Sequence, residues 1–163
     1  MKTKQVVQVA MYSAALVALQ VALASLPNVE VVSFLFVIYG ITLSLKMNLA
    51  ISFVFVTIQM LVWGAGDWVI GYYWIWPTWT LIIALFKSIL KENTYGWALL
   101  SGFWGILFGL LFALNHGLFY GFNYSFIYWI KGLSFDLIHT ISNYIIMLIL
   151  YKPVLNLFKQ HHQ

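Results

Sequence analysis

Three polar side chains share one helical face in an otherwise apolar segment, YWIKGLSFDLIHTISNY, which spans residues 128–144. Asp136, His139 and Asn143 stand at i, i+3 and i+7, which places them on the same side of a helix. Ionisable groups inside a membrane span are costly and usually face a bundle interior or a wet cavity. The spacing therefore fits either of two roles for Asp136 and His139: a polar lock between helices, or the floor of a binding pocket.

Lys131 belongs to the same segment but to another side of the helix. On a straight helix, the side chains of Lys131 and Asp136 point about 140° apart around the helix axis. The two are therefore not expected to pair unless Gly132 bends the chain. Lys131 is also the only lysine that falls within a predicted span rather than at a predicted cytoplasmic end. We therefore predict that Lys131 contacts a ligand.

Catalytic chemistry is poorly supported by the rest of the sequence. The chain has no cysteine, which excludes disulfides, thiolate metal sites and cysteine nucleophiles. It has no HExxH, GxSxG or Walker motif and only 4 acidic residues. An axial haem pair of His116 and His139 is disfavoured, because the first is predicted in an outer loop and the second near mid-membrane. No catalytic residue, metal or cofactor is predicted, and the chain is not expected to be an enzyme.

The composition indicates an integral membrane protein. Of the 163 residues, 63% are hydrophobic and 7% are charged, against about 25% charged in a typical soluble domain. The predicted fold is all-α, a single membrane domain over residues 1–163 with six transmembrane helices. The first apolar run is too long for a signal-peptide core, so it is interpreted as a span. The predicted spans are residues 5–26, 31–45, 47–63, 68–86, 95–114 and 124–151, with Pro77 expected to kink the fourth or mark a broken start.

The distribution of lysines predicts that both termini are cytoplasmic. If the N-terminus is cytoplasmic, all but one of the lysines lie at the cytoplasmic ends of the predicted spans. The loops on the opposite side carry Glu30 and Asp67 instead. Nucleic-acid binding is not indicated, because the lysines are dispersed. The cytoplasmic set is Lys2, Lys4, Lys46, Lys87, Lys91, Lys152 and Lys159.

The predicted outer loops, SLPNVE, WGAGDW and NHGLFYGFNY, are rich in polar and aromatic residues. An interfacial aromatic belt accounts for part of this pattern, and a pocket for a flat ligand accounts for it equally well. We favour a site that opens to the outside. The candidate ligand-binding residues are Asn28, Glu30, Trp63, Asp67, Trp74, Asn115, His116, Tyr120, Tyr128, Lys131, Asp136 and His139.

A stripe of small residues marks the first predicted helix. Ala10, Ala14, Ala18 and Ala22 recur at every fourth position. In lipid, small residues at this spacing allow two helix backbones to approach closely. The stripe predicts a helix-packing surface, and its spacing does not distinguish a partner within the chain from another subunit.

These features occur in an order that resembles the substrate-binding S component of energy-coupling factor (ECF) vitamin transporters. The alanine stripe is followed by LPNVEVVSFLFVIYG, then WVIGYYWIWP, then YWIKGLSFDLIHTISNYIIMLILYKP. The resemblance covers nearly the whole chain. It implies a bacterial plasma-membrane protein that binds a vitamin from outside, in a pocket built by the later helices and capped by outer loops.

The resemblance also implies partners. S components associate with a transmembrane coupling subunit and two cytoplasmic ATPases, and they hydrolyse nothing themselves. The alanine stripe would dock on the coupling subunit. The aromatic and mixed-sign polar residues suit a hydroxymethylpyrimidine or pyridoxine-like vitamin, with pantothenate and cobalamin open.

Two rival functions remain open at this point. One is an ATPase-independent, tryptophan-rich ligand sensor or translocator of the TspO kind. That family has five spans and a proline-rich tryptophan signature, whereas this chain is predicted to have six spans and has 3 prolines. The other is a purely structural membrane subunit, in which Lys131 and Asn28 would be dispensable.

Overall fold

The computed structural model describes residues 1–162, and the side chains of residues 1–160. These residues form an all-helical bundle, which confirms the predicted helical class. Five helices are long and apolar enough to cross a membrane. The helices are α1 (Thr3–Ala22), α2 (Val32–Thr42), α3 (Leu45–Trp63), α4 (Asp67–Leu90), α5 (Thr94–Tyr120) and α6 (Phe122–His162).

Helix α2 differs from its prediction as a full span. It has 11 residues, whereas crossing the hydrocarbon core takes about 20. It runs parallel to α4, because the Trp79 indole N–H donates to the Ser33 carbonyl at 3.1 Å and Lys87 Nζ donates to the Gly40 carbonyl at 3.0 Å. Its first turn is therefore level with the middle of α4, about 18 Å along that helix from Asp67.

The segment before α2 consequently descends into the bundle. Helix α1 ends near the level of Tyr72, whose hydroxyl accepts a hydrogen bond from Gln20 Nε2 at 3.5 Å. Residues 23–31 then reach mid-depth without helical structure. Irregular backbone is tolerated at that depth only where protein buries it or a wet cavity receives it. The predicted outer loop SLPNVE is therefore an inward-dipping segment, which we call the descending segment (residues 23–31).

The turn between α5 and α6 is shorter than predicted. Helix α5 continues to Tyr120, and Gly121 alone separates it from α6. Gly121 has φ of 84°, in the left-handed region that favours glycine. Its N–H donates to the Gly117 carbonyl at 3.0 Å and closes α5. Asn115, His116 and Tyr120 are thus helical residues, and the prediction that they lie in a loop was wrong.

Helix α4 is continuous from Asp67 to Leu90, with Pro77 inside it. Of the two roles expected of Pro77, the broken start was therefore wrong, and a kink within the continuous helix stays a prediction.

Helices α5 and α6 pack closely along a line of glycines. A Cβ at Gly105 would lie 2.6 Å from the backbone nitrogen of Thr140, and one at Gly102 would lie 3.3 Å from the Thr140 carbonyl. Small residues at a helix interface allow this approach in lipid. Across the same pair, Ser125 Oγ donates to the Ala113 carbonyl at 2.7 Å. These contacts fix the packing of α5 against α6, the two helices that contribute most of the residues lining the cavity described below.

Gly105→Ala is predicted to destabilise the protein, whereas Gly132→Ala is not. Alanine favours a helix over glycine by about 1 kcal/mol, but at Gly105 its Cβ meets the α6 backbone. Overpacking of this kind costs about 1–3 kcal/mol. At Gly132 no atom lies within 4 Å of a Cβ. Thermal unfolding in detergent should show a lower Tm for Gly105→Ala and an equal or higher Tm for Gly132→Ala. Equal shifts for the two variants would contradict the glycine contact.

Candidate functional site

A cavity of about 770 Å³ lies between α4, α5, α6 and the descending segment. Its size falls in the range of small-molecule sites, about 300–1,000 Å³. It is mostly apolar, with a small number of polar groups. Its lining residues are Pro27, Asn28, Trp68, Tyr72, Phe108, Gly109, Phe112, Tyr124, Ile127, Tyr128, Trp129, Lys131, Gly132, Phe135 and Asp136.

Aromatic rings from α4 and α5 build one wall of the cavity. The ring centroid of Tyr72 lies 5.5 Å from that of Phe112, 6.2 Å from that of Phe108 and 5.2 Å from that of Trp68. Each of these pairs meets edge to face, so the rings fix one another in place. A wall of fixed rings favours a flat or aromatic ligand over a flexible polar one.

Asp136 places a carboxylate at mid-depth in this cavity. Its residue is 7% exposed, and no described residue donates a hydrogen bond to the buried Oδ2. The carboxylate lies against Gly109 of α5, where a Cβ would overlap both of its oxygens. The position of the Asp136 carboxylate is therefore set by close packing against α5.

Lys131 lines the same cavity from nearer the start of α6. Its side chain is exposed, and no salt bridge joins it to another side chain in the described part of the chain. Lys131 and Asp136 therefore do not form an ion pair, and this absence agrees with their predicted separation around the helix. Both are directed to one space, and Gly132 also lines it.

His139 lies one turn beyond Asp136 and has a protein partner. Its Nε2 is 3.1 Å from Glu30 Oε1, and the other oxygen of Glu30 accepts the Ser33 N–H at 2.8 Å, at the start of α2. The pair fastens the descending segment to α6.

Asn28 fastens the same segment at a second point. Its φ of 58° is in the left-handed region, which asparagine adopts more readily than most residues. Its carbonyl accepts a hydrogen bond from Ser142 Oγ at 2.9 Å. Asn28 lines the main cavity and also a smaller one of about 170 Å³, which Glu30 and His139 line as well. Pro27 and Asn28 of the descending segment line both spaces, as do Tyr72 and Phe108.

Five predicted site residues form a separate network between α4 and α5. The Tyr120 hydroxyl donates to Asp67 Oδ2 at 2.8 Å, and His116 Nδ1 lies 3.2 Å from the same oxygen. Asn115 Nδ2 donates to the Asp67 carbonyl at 3.2 Å and its Oδ1 accepts from the Trp74 indole at 3.3 Å. None of the five lines either cavity. They join the start of α4 to the end of α5.

Of the remaining predicted residues, one lines the main cavity and one does not. Tyr128 lines the main cavity, and its ring is 4.5 Å from that of His116. Trp63 is 55% exposed and lines neither cavity. The tryptophans that follow it have mixed roles: Trp68 lines the cavity, whereas Trp76 and Trp79 are buried in the core.

The alanine stripe lies on the outside of the bundle. Helix α1 buries the opposite face, including Ser13, Leu16 and Val17, against its neighbours. Ser13 Oγ donates to the Ile51 carbonyl of α3 at 3.2 Å. Each alanine of the stripe is exposed, namely Ala10, Ala14, Ala18 and Ala22.

Most of the aromatic lining was missed by sequence reasoning. The missed residues on α6 lie on the same broad helical face as Tyr128 and Lys131, and this shared face was a signal that could have identified them. A second signal was the glycine spacing Gly102, Gly105 and Gly109 in α5, which marks the face that approaches α6. The missed lining residues are Pro27, Trp68, Tyr72, Phe108, Gly109, Phe112, Tyr124, Ile127, Trp129, Gly132 and Phe135.

The described residues contain no group of three or more His, Cys, Asp or Glu side chains that could hold a metal ion.

No protein-family model, curated protein or solved structure matches the chain. The class defined by fold and site is a multi-pass helical membrane protein with an aromatic-walled cavity.

Glu30→Gln is predicted to lower the Tm at neutral pH by about 5 °C or more. Removing one partner of a buried pair costs about 3–5 kcal/mol, and each kcal/mol shifts Tm by about 2–4 °C at this size. The side chain of Glu30 is 16% exposed. The matched control is Glu92→Gln, because Glu92 pairs with Lys159 at the surface and is 67% exposed.

Proposed function

We propose that the chain is the substrate-binding S component of an ECF-type vitamin transporter. The observation that carries the proposal is the cavity of about 770 Å³, with aromatic walls and a lysine and a carboxylate among its lining residues. A cavity of this kind is expected in a subunit that captures a small molecule. The proposal gives the chain no catalytic role, since ATP would be bound and hydrolysed by partner subunits.

The exposed alanine stripe supports an assembly role. In lipid, apolar side chains gain nothing from mutual burial, so helices associate where small residues allow close backbone approach. A stripe that is exposed in the chain by itself is available to another subunit. In the proposal, this stripe contacts the transmembrane coupling subunit, which in turn joins two cytoplasmic ATPases.

The proposed topology places both termini in the cytoplasm of a bacterial cell. The seven lysines outside the cavity then lie at the cytoplasmic ends of the helices, in accord with the positive-inside rule. The cavity lies in the outer half of the bundle, between the ends that carry few lysines. The second of six membrane crossings would be shared by α2 and the descending segment.

The proposed substrate is a small heteroaromatic vitamin or precursor, of the hydroxymethylpyrimidine or pyridoxine kind. Stacking on the rings and bonding to a few polar groups would supply its affinity. Pantothenate and cobalamin are alternative substrates that the binding experiment below distinguishes.

The purified chain is predicted to bind a vitamin without any partner subunit. Isothermal titration of the protein in detergent against a vitamin panel should give a Kd below about 10 μM for at least one compound, or about −7 kcal/mol. Lys131→Ala and Asn28→Ala should weaken binding. If no vitamin binds in this range, the S-component proposal fails.

The double variant Ala14→Leu with Ala18→Leu is predicted to abolish co-purification with the coupling subunit while leaving vitamin affinity within about twofold. Two leucines on the stripe would prevent close approach of a second helix. A matched control is Leu99→Phe, which adds bulk at a 65% exposed position on α5. Loss of vitamin binding in the double variant would contradict an external role for the stripe. Vitamin binding with no ATPase complex in the wild type would favour an ATPase-independent sensor instead.

A further inference from the structure

The three polar side chains on the inner face of α6 differ in what surrounds them. His139 is paired with Glu30, and Asn143 Nδ2 donates to the Ser101 carbonyl at 3.5 Å. Asp136 alone among the three lines the main cavity. Its buried Oδ2 receives no hydrogen bond from any described residue. The polar lock that the sequence suggested thus applies to His139, whereas Asp136 is free to meet a ligand.

A buried carboxylate without a donor is unfavourable by itself. Burying a charged group costs free energy unless it is paired and hydrogen-bonded, and native structures leave few such groups unsatisfied. A carboxylate that is ionised only accepts hydrogen bonds. The group that satisfies an ionised Asp136 therefore offers a polar hydrogen, and a cationic or polarised N–H makes the stronger bond.

Helix α5 provides the space that this carboxylate occupies. Gly109 has no side chain, and any Cβ there would overlap the Asp136 oxygens. The rings of Phe108, one residue before Gly109, and Phe112, three residues after it, also line the cavity. The carboxylate is thus positioned beside an aromatic wall, where the edge of a stacked ring would reach it.

Lys131 gives the cavity a second charged group of opposite sign. The two positions differ by about 7.5 Å along the α6 axis, with Lys131 nearer the exposed end and Asp136 deeper. A ligand that contacts both must therefore have unlike ends. Its deep end donates hydrogen bonds, and its shallow end accepts them.

We propose that the cavity selects an amino-substituted or protonated nitrogen heterocycle, whose N–H groups bond to Asp136 while a hydroxyl or anionic substituent faces Lys131. This inference rests on the proposed function and narrows its substrate class. The aromatic walls hold the ring of such a ligand, and Asp136 sets its orientation. A ligand that carries only a carboxylate at its deep end is repelled by Asp136.

The test uses isothermal titration of the purified full chain with three probes. Two probes, 4-amino-5-hydroxymethyl-2-methylpyrimidine and pyridoxamine, carry N–H donors on or beside a ring. The third, pantothenate, is an acyclic anion. We expect at least one of the first two to bind, and Asp136→Asn to weaken that binding by about 10- to 100-fold, which is the range for a hydrogen bond to a charged group.

Two further variants distinguish the effect of the Asp136 charge from the effect of the position of its carboxylate. Gly109→Ala keeps the Asp136 charge but displaces the carboxylate, so it should also weaken binding of the same probe by at least tenfold. Lys131→Gln should weaken it too, but less than Asp136→Asn does. Unchanged affinity in Asp136→Asn overturns the proposal.

A stability measurement distinguishes a ligand contact from a structural one. Because no described residue donates a hydrogen bond to Asp136 Oδ2, Asp136→Asn in the ligand-free protein should leave Tm unchanged or raise it. Glu30→Gln provides the contrast, since Glu30 is paired. A decrease in Tm for Asp136→Asn as large as that for Glu30→Gln makes the carboxylate structural and overturns the proposal.

The outcomes separate this inference from the proposed function. Binding of pantothenate alone overturns the nitrogen-heterocycle inference, because pantothenate has no ring, and leaves an S component with another substrate. Failure of every vitamin tried, including all three probes, overturns both. Binding of an amino-substituted ring that depends on Asp136 supports both.

Discussion

Helices α5 and α6 approach one another so closely that a Cβ would clash at Gly105 and Gly109 and would be tightly packed at Gly102. In lipid, where apolar contact alone does not drive association, this backbone proximity is what holds two helices together. It fixes the level at which Asp136 faces α5, and so the depth of the carboxylate in the cavity. The aromatic wall follows from the same packing, because Phe108 and Phe112 lie on either side of the last of these glycines.

The descending segment is the second element on which the cavity depends. Non-helical backbone at mid-depth would be strongly unfavourable if it faced lipid. Here it is fastened to α6 by Glu30 with His139, and by the carbonyl of Asn28 with Ser142. These contacts join residues that are far apart in sequence, and they close the cavity from the side of α1.

The helical class and the helical spacing of the polar residues on α6 could be predicted from the sequence, because both depend on local periodicity. The separation of Lys131 from Asp136 followed from geometry alone. The depth of the descending segment could not be predicted, since it depends on the partners of Glu30 and Asn28 across the bundle. Asn115, His116 and Tyr120 were misplaced because their polar and glycine-rich surroundings resemble a loop, although α5 continues through them.

Helix α6 is continuous from the cavity to the far end of the bundle, and this continuity has a mechanical consequence. Between Phe122 and Pro153 it forms a rod about 45 Å long. Tyr128, Lys131 and Asp136 belong to one half of that rod, and Lys152 belongs to the other. A change in tilt of about 5° would move the distant end by about 4 Å. Because α6 is one continuous helix, any change in its tilt at the cavity would also displace its opposite end.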